Sequence, residues 1–495
     1  MGFLKIIAIL VISLYGISLL LILLYSIIQF QLLMKYLSAR SLPPALPDSI
    51  PETSFPRVTV QLPVYNEPLV ISRLIDNIIR LEYPAEKLQI QVLDDSTDET
   101  RDLCEQKVAY YKAEGIDIVH IHRQDRTGFK AGALQNGLST ATGDLIAIFD
   151  ADFLPKSDFL RLTIPYFSDQ ETGVVQTRWG HINEAYSMLT RLQAFQLNLH
   201  FSIEQTGREH GDYFLQFNGT AGIWRKATII DAGGWMDNTL TEDLNLSYRA
   251  QLKGWKIHFC QAVDTPAELP VEMIGLKSQQ FRWMKGGAEN ARILIPHILH
   301  STLTLPQQMH AITHLLSSSI FLIVFLLAIL SVPVFFLYPF IDIHLQFFTP
   351  FLLSVGLLAC VYFVANSDTS WQEVSWIKRL FRFVIMFPVF LSLSMGLSYH
   401  TTKAILEGYR GKKSPFVRTP KFNIHTRQDR VNKHQAIIQR KTKGIWMEGM
   451  LSLYFLCAVV AGIVSQDYSF LIYHLMLVIG FGSIFILTIL HQCEQ

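Results

Sequence analysis

Ile146-Ala147-Ile148-Phe149-Asp150-Ala151-Asp152-Phe153 is an apolar run interrupted by two acids two residues apart. The run reads as a buried strand whose tip presents carboxylates. Oxygen ligands at a strand tip suit a hard divalent cation, and such a cation suits a diphosphate. Asp-x-Asp on its own is common, and a capping or turn pair is the plain alternative.

Upstream the same ending recurs. Val58-Thr59-Val60-Gln61-Leu62 has the pattern of a strand and closes in Pro63-Val64-Tyr65-Asn66-Glu67. That turn leads into a helix with Leu69, Ile71, Leu74, Ile75 and Ile78 on one face. Leu88 to Leu93 is a second strand ending at Asp94-Asp95-Ser96. Ser96-Thr97-Asp98-Glu99 reads as a helix start, a capping hydroxyl followed by acids in the first turn. Ile116 to Ile121 is a third strand, and Asp144 to Phe149 a fourth that leads into the Asp-x-Asp pair. Strands alternating with helices predict βαβ units and a mostly parallel sheet. Ligands of such sheets bind beyond the carboxyl ends of the strands. Acids or a proline turn stand at three of those ends, which predicts one shared nucleotide site.

Half of the 495 residues are apolar, and the formal net charge of +1 carries no global nucleic-acid signature. The apolar excess sits in the first thirty or so residues and the last two hundred or so. The five cysteines are scattered without a Cys-x-x-Cys pair, which argues against a zinc knuckle or a disulfide framework and for reduced structural thiols. Phe3 to about Gln29 is too long for a signal-peptide core and lacks a small-x-small cleavage site. At about 1.5 Å per residue it spans a hydrocarbon core of about 30 Å, so it reads as a retained transmembrane helix. Gly2 does not read as a myristoylation site, because Ile6 stands where Ser or Thr is expected. Ser41 to Pro47 is a proline-rich linker.

Downstream, apolar segments recur at about 312–333, 346–366, 381–400, 449–466 and 469–490. Between Lys403 and Lys443 lie about a dozen Lys and Arg and few acids, which predicts a cytoplasmic loop. Parity then predicts that 381–400 lies at the interface or is re-entrant. Lys378, Arg379 and Arg382 lead into it and Pro388 breaks it midway. The result is five crossings, with the N-terminus outside and the C-terminus inside. A sixth true crossing is the alternative that length alone permits.

Two further blocks follow in order, Thr241-Glu242-Asp243 and Gln279-Gln280-Phe281-Arg282-Trp283. With Asp94-Asp95 and Asp150-x-Asp152, this order resembles the processive, membrane-embedded family 2 glycosyltransferases, the group of cellulose, mannan, chitin and hyaluronan synthases. The wording of several blocks resembles the cellulose-synthase-like mannan and glucan synthases, and the resemblance covers most of the chain. It implies an α/β GT-A (Rossmann-like) cytoplasmic catalytic domain plus an α-helical transmembrane region. The expected division is 1–40, a transmembrane helix and the start of a linker; 55–300, the GT-A domain with an interface helix; and 305–495, transmembrane and interfacial helices with a cytoplasmic gating-type loop at 401–445. Plasma or inner membrane is the implied location.

Glycosyl transfer from a nucleotide diphosphate sugar must neutralise the leaving diphosphate, deprotonate the acceptor hydroxyl and align the acceptor with the anomeric carbon. Asp150 and Asp152 can hold Mg²⁺ or Mn²⁺. Arg282 adds a guanidinium whose fork matches phosphate oxygens. The resemblance makes Asp243 the base of an inverting displacement and puts Glu242 beside the acceptor; the pair also fits the first turn of a helix capped by Thr241. Trp283 offers a flat apolar face to a sugar ring and Gln279 an amide, although a lone interfacial tryptophan also serves as an anchor.

By resemblance, Pro63, Tyr65 and Glu67 belong to the nucleoside-contacting loop, and Asp94 and Asp95 to the base and ribose site. Lys130, in Arg126-Thr127-Gly128-Phe129-Lys130-Ala131-Gly132, reaches phosphate or sugar or else is a surface lysine. Asn218, in Phe217-Asn218-Gly219-Thr220, falls on the acceptor side, where glycines permit close backbone approach. Phe416-Val417-Arg418-Thr419-Pro420-Lys421 resembles the Phe-x-Val-Thr-x-Lys gating loop, with Arg418 where the motif has valine. Phe416, Thr419 and Lys421 are its matching residues; a basic loop binding anionic lipid is the alternative.

The expected reaction extends a β-linked glucan or mannan from UDP-glucose or GDP-mannose and passes it across the membrane. The implied partners are the nucleotide sugar, the growing polysaccharide or a lipid acceptor, the membrane and accessory export subunits, with no nucleic acid. The rivals are a non-processive transferase with a lipid acceptor, a non-catalytic polysaccharide export component and a soluble nucleotidyltransferase.

Overall fold

The structure, a computed structural model, describes residues 2–40, 47–341, 349–429 and 444–493. Residues 41–46 of the expected linker, the start of the segment at 346–366 and the basic stretch 430–443 lie outside the described residues.

Val58–Val64 (β1), Leu88–Asp94 (β2), Ile118–His122 (β3), Leu145–Ile148 (β4), Thr172–His181 (β5), Gly222–Arg225 (β6) and Lys256–Ala267 (β7) form one sheet. Their order is β3-β2-β1-β4-β6-β5-β7. β1 pairs in parallel with β2 and β4, and β6 runs antiparallel to both its neighbours. The sheet is therefore mostly parallel, with one reversed strand. All seven residues of β1 are buried. Its polar members pair across the strands: Thr59 donates to Gln89 at 2.9 Å and Gln61 to Gln91 at 3.0 Å. Buried amides in such pairs avoid the penalty of an unpaired polar group.

The first helix, α1, runs Gly2–Arg40, past the expected end near Gln29. Its last turns continue because they pack on protein: Leu32, Leu33 and Tyr36 are buried against Leu199, Ile203 and Val361. Between the strands lie α2 (Ile71–Ile78), α3 (Thr100–Ala113), α4 (Phe129–Thr140), α5 (Phe159–Thr163), α6 (Met188–Leu199), α7 (Gln205–His210), α8 (Lys226–Asp231) and α9 (Glu242–Leu252). The helix expected to start at Ser96 starts instead at Thr100. Ser96 is used elsewhere: its hydroxyl accepts the Asn66 N–H at 2.8 Å and ties the turn after β1 to the end of β2.

After β7 come α10 (Met273–Leu299), α11 (Leu305–Leu315), α12 (Ile320–Leu337), α13 (Leu352–Ser367), α14 (Trp376–Tyr409), α15 (Ile445–Val464) and α16 (Leu471–Cys493). The segment expected at 312–333 breaks at Leu316. α11 belongs to the α/β unit, where His314 meets the Tyr248 hydroxyl at 2.8 Å, and only then does an apolar span begin, Ser317–Phe340. Among the described residues six helices are long and apolar enough to cross a membrane, and the chain is a membrane protein.

Five of these six bring one end to the α/β unit. Gln29 of α1 donates to Glu204 at 2.7 Å, and Ser318, just before α12, lies against Gly287 of α10. Asn366 of α13 meets Asn198 at 3.0 Å, Glu448 of α15 meets Lys277 at 2.6 Å, and the Met273 N–H donates to His491 of α16 at 2.9 Å. α14 differs, because it touches the unit at several points along its length and also packs on α16, where Gly396 meets Gly480. Ser370, just before it, donates to Glu184, Phe383 lies 6.2 Å from Phe195, His400 meets the Lys277 carbonyl at 3.0 Å, and Gly408 lies against Lys285 and Ala288 of α10. Trp376, Ile377, Phe381 and Val384 stand exposed on its other face.

Candidate active site

The carboxyl ends of β1, β2, β4, β5 and β7 open onto one pocket, closed from the other side by α10 and by residues 416–421. Asp150 and Asp152 stand where β4 ends. The Asp150 N–H donates to Thr220 at 2.8 Å, which fixes the tip. Lys130 Nζ donates to Asp150 Oδ1 at 2.5 Å and to the Gly219 carbonyl at 2.9 Å. Burial depresses the Lys130 ammonium, but Asp150 and Glu242 outweigh burial and hold it above its ordinary pKa. Lys421 Nζ donates to Asp152 Oδ2 at 2.6 Å and to the Glu268 carbonyl at 2.9 Å. The Glu268 carboxylate accepts the N–H groups of Phe422 and Asn423, so the end of β7 holds this loop down.

Glu67, after β1, meets Arg418 at 3.3 Å. Burial pushes its carboxyl up to about 7 against the pull of Arg418. Asp150, Asp152, Glu67 and Glu268 thus present only oxygen atoms, and each of the two aspartates already holds a cationic nitrogen. This donor set fits a hard divalent cation such as Mg²⁺ or Mn²⁺.

Glu242 and Asp243 open α9. The Thr241 hydroxyl does not cap this helix; it accepts Asn290 Nδ2 of α10 at 2.9 Å. Asp243 Oδ1 accepts its neighbour Leu244 N–H at 2.8 Å, which leaves Oδ2 toward the pocket loop at Gly219. A Cβ at Gly219 would lie 2.9 Å from Asp243 Oδ2, and Gly219 has φ +82°. Burial, and then the Glu242 charge, push the Asp243 carboxyl up to about 7. A carboxylate of that basicity suits proton abstraction near neutral pH.

Gln279, Arg282 and Trp283 are spaced i, i+3 and i+4, so one face of α10 delivers all three. Arg282 donates to the Thr419 hydroxyl at 3.0 Å, and its guanidinium lies 4.4 Å from the Phe416 ring centroid. Phe416 also stacks 5.9 Å from Phe129, and the Arg126 guanidinium covers the Tyr65 ring at 3.3 Å. On the opposite wall Asn218 accepts from His200 at 2.8 Å, and His200 continues to Glu204 at 2.8 Å. A polar line therefore joins the pocket to Gln29 of α1.

Pro63, Tyr65, Glu67, Asp95, Lys130, Asp150, Asp152, Asn218, Glu242, Asp243, Gln279, Arg282, Trp283, Phe416, Thr419 and Lys421 all line this pocket. Asp94 does not. It is fully buried behind the wall, accepting from His120 at 2.9 Å and the Ser96 N–H at 2.8 Å. Its neighbour Asp95 faces the pocket and accepts from Arg123 Nε at 2.7 Å and Nη2 at 2.6 Å. Glu268, Trp179 and His181 line the pocket as well, unread in the sequence. The strand-end rule reaches all three, since they lie at the ends of β5 and β7. Burial lowers the His181 imidazole to about 4, so it is neutral at pH 7.

Residues 56–286 match the family model described as "Glycosyltransferase like family 2". Glucomannan 4-beta-mannosyltransferase 9 of Arabidopsis thaliana is 39% identical over 266 residues, which cover 52% of this chain and 50% of the relative. Probable glucomannan 4-beta-mannosyltransferase 4 of Oryza sativa subsp. japonica is 42% identical over 250 residues, 50% of this chain and 46% of the relative. The chain spans about half the length of these curated relatives. Mannosyltransferase PcManGT from Pyrobaculum calidifontis, solved in complex with GDP-Man and Mn2+, has the same fold. It superposes with a TM-score of 0.53 at 19% identity, covering 83% of this chain and 100% of its own.

Proposed function

We propose, from the match of residues 56–286 to the family 2 glycosyltransferase model, that the chain is an inverting, metal-dependent hexosyltransferase that extends a β-linked mannan or glucan at a membrane. The observation that carries the proposal is the convergence in one pocket of Asp150 and Asp152, Asp243, and Gln279, Arg282 and Trp283. GDP-mannose is the first donor to test and UDP-glucose the second, because the curated relatives are named glucomannan mannosyltransferases.

Asp150 and Asp152 would hold the cation, which when bound neutralises charge on the leaving diphosphate. Arg282, Lys130 and Lys421 lie within reach of the same region and supply further positive charge. Trp283 positions the acceptor sugar, and Asp243 accepts the proton of its attacking hydroxyl. The new bond forms from that oxygen to the anomeric carbon as the bond from carbon to the diphosphate oxygen breaks. Residues 416–421 cover the pocket and exclude water.

The ends of the helices support a membrane arrangement in which α1, α12, α13, α15 and α16 cross and α14 lies along the surface between the catalytic unit and lipid. That gives five crossings, with the N-terminus on the far side and the C-terminus on the catalytic, cytoplasmic side.

Membrane vesicles supplied with Mg²⁺ or Mn²⁺ and labelled GDP-mannose, UDP-glucose, UDP-N-acetylglucosamine or UDP-galactose test the proposal. High-molecular-weight label from one donor, lost in Asp243→Asn, supports it. Label confined to organic-extractable lipid would replace the polymerase with a single-addition enzyme.

A further inference from the structure

Behind the nucleoside wall of the pocket, Asp94, His120 and His122 meet. We propose that they bind a transition-metal dication, Zn²⁺ in the first place, at a site separate from Asp150 and Asp152. The sheet register builds it. Asp94 pairs with His122 across β2 and β3, and His120, two residues earlier, points to the same face. Asp94 Oδ2 lies 2.9 Å from His120 Nε2 and 3.2 Å from His122 Nδ1, and the three ligand atoms all fall within 4.8 Å of one another.

Tetrahedral zinc with bonds of about 2.0–2.2 Å separates its ligand atoms by about 3.3–3.6 Å. The two measured edges need to open by only a few tenths of an ångström. The other carboxylate oxygen, Oδ1, is already held by the Ser96 N–H at 2.8 Å, which orients the ligand from behind. β3 is the edge strand, and the two histidine side chains are 13% and 20% exposed, so a fourth position faces solvent. On binding, each imidazole moves its proton to its other ring nitrogen and turns a lone pair to the metal.

Two imidazoles and one carboxylate select a borderline ion such as Zn²⁺ or Co²⁺, whereas the all-oxygen set in the pocket suits Mg²⁺ or Mn²⁺. The two sites therefore sort metals by chemistry. The site also braces the pocket wall. The Arg123 N–H donates to the Asp94 carbonyl at 2.9 Å, and the Arg123 side chain reaches Asp95 and the carbonyls of Thr127 and Phe129. An ion on Asp94 would stiffen the segment that carries Arg126 and Lys130 into the pocket.

The test uses the untagged full-length protein in detergent, stripped with chelator and titrated with Co²⁺. The expected result is a single visible-absorbing Co²⁺ site, displaced by Zn²⁺ and not by Mg²⁺. Affinity should fall by more than about tenfold in H120Q and in H122Q and stay unchanged in D150A. Zn²⁺ should raise the melting temperature of the wild type and not of H122Q. A Co²⁺ spectrum that survives in the H120Q/H122Q double variant, or a wild type that binds no Co²⁺ at micromolar concentration, overturns the proposal. Both readouts are independent of sugar transfer, so they stand apart from the proposed activity.

Discussion

Lys421 Nζ lies 2.6 Å from Asp152 Oδ2, although 269 residues separate them in the chain. The covering loop thus places an ammonium on a carboxylate that the proposed reaction assigns to a cation, and the two must compete. Lys421→Ala is expected to raise Mn²⁺ affinity about three- to tenfold in the absence of donor, a change on the order of 1 kcal/mol. Turnover should fall at the same time, because the loop loses its contact. Electron paramagnetic resonance of free Mn²⁺ reads the first effect; an unchanged affinity would separate Lys421 from the metal site.

Asp243 is raised to about 7 by burial and by Glu242. A general base works only when deprotonated, so the rate should climb as pH rises through about 7 and level off above it. Asp243→Asn should lower turnover by about 10²–10⁴. Glu67 titrates in the same range, so Glu242→Gln is the discriminating variant. By removing the neighbouring charge it should shift the half-rate point to lower pH, and a profile that stays put would point to Glu67 instead.

Gly219 has two reasons to be glycine, its φ of +82° and the 2.9 Å that a Cβ there would leave to Asp243 Oδ2. Gly219→Ala should cost about 1 kcal/mol of stability from the backbone and should also depress turnover by displacing the carboxylate. A Cβ at Gly233, where φ is +88°, would meet only the ends of the Arg249 and Met236 side chains, at 3.3 and 3.4 Å. Gly233→Ala should therefore show the stability loss without the loss in turnover. Equal effects on turnover in the two variants would remove the special role of Gly219.

Lys277 and Glu448 join α10 to α15 at 2.6 Å, with side chains only 3% and 2% exposed. Glu448→Ala strands a buried ammonium and should destabilise by about 3–5 kcal/mol, read as a lower melting temperature in detergent. Lys277→Met with Glu448→Leu removes both charges and should recover most of the loss. A double variant as unstable as the single one would mean that geometry, not charge, is at stake.

Much of the catalytic half was legible because strands of a parallel sheet carry their chemistry at one end. Each of the four early strands is short, with apolar residues in a run or at alternate positions, and Glu67, Asp95, Asp150 and Asp152 follow three of them closely. The pocket residues on β5 and β7 escaped because those strands do not announce themselves. Polar Gln176, Thr177 and Arg178 interrupt the apolar pattern of β5, and β7 alternates irregularly around its bulge. The helix start at Ser96 escaped because its hydroxyl had a second use, whereas α9 begins at Glu242 as expected even though Thr241 does not cap it.

Composition and periodicity alone determined the alternating α/β unit, the apolar helices and the order of the acidic and Gln-x-x-Arg-Trp blocks, since burial patterns and strand-end carboxylates are local properties of the chain. Which of two adjacent aspartates faces the pocket was decided only in three dimensions. Successive side chains on a strand point to opposite sides, and β3 brings two histidines under Asp94 while Arg123 claims Asp95. The path of α14 was likewise decided by packing. Its length suffices to cross a bilayer, but its partners, α10 at Gly408 and α16 where Gly396 meets Gly480, lie far away in the sequence, so only the folded chain shows which surfaces bury its faces.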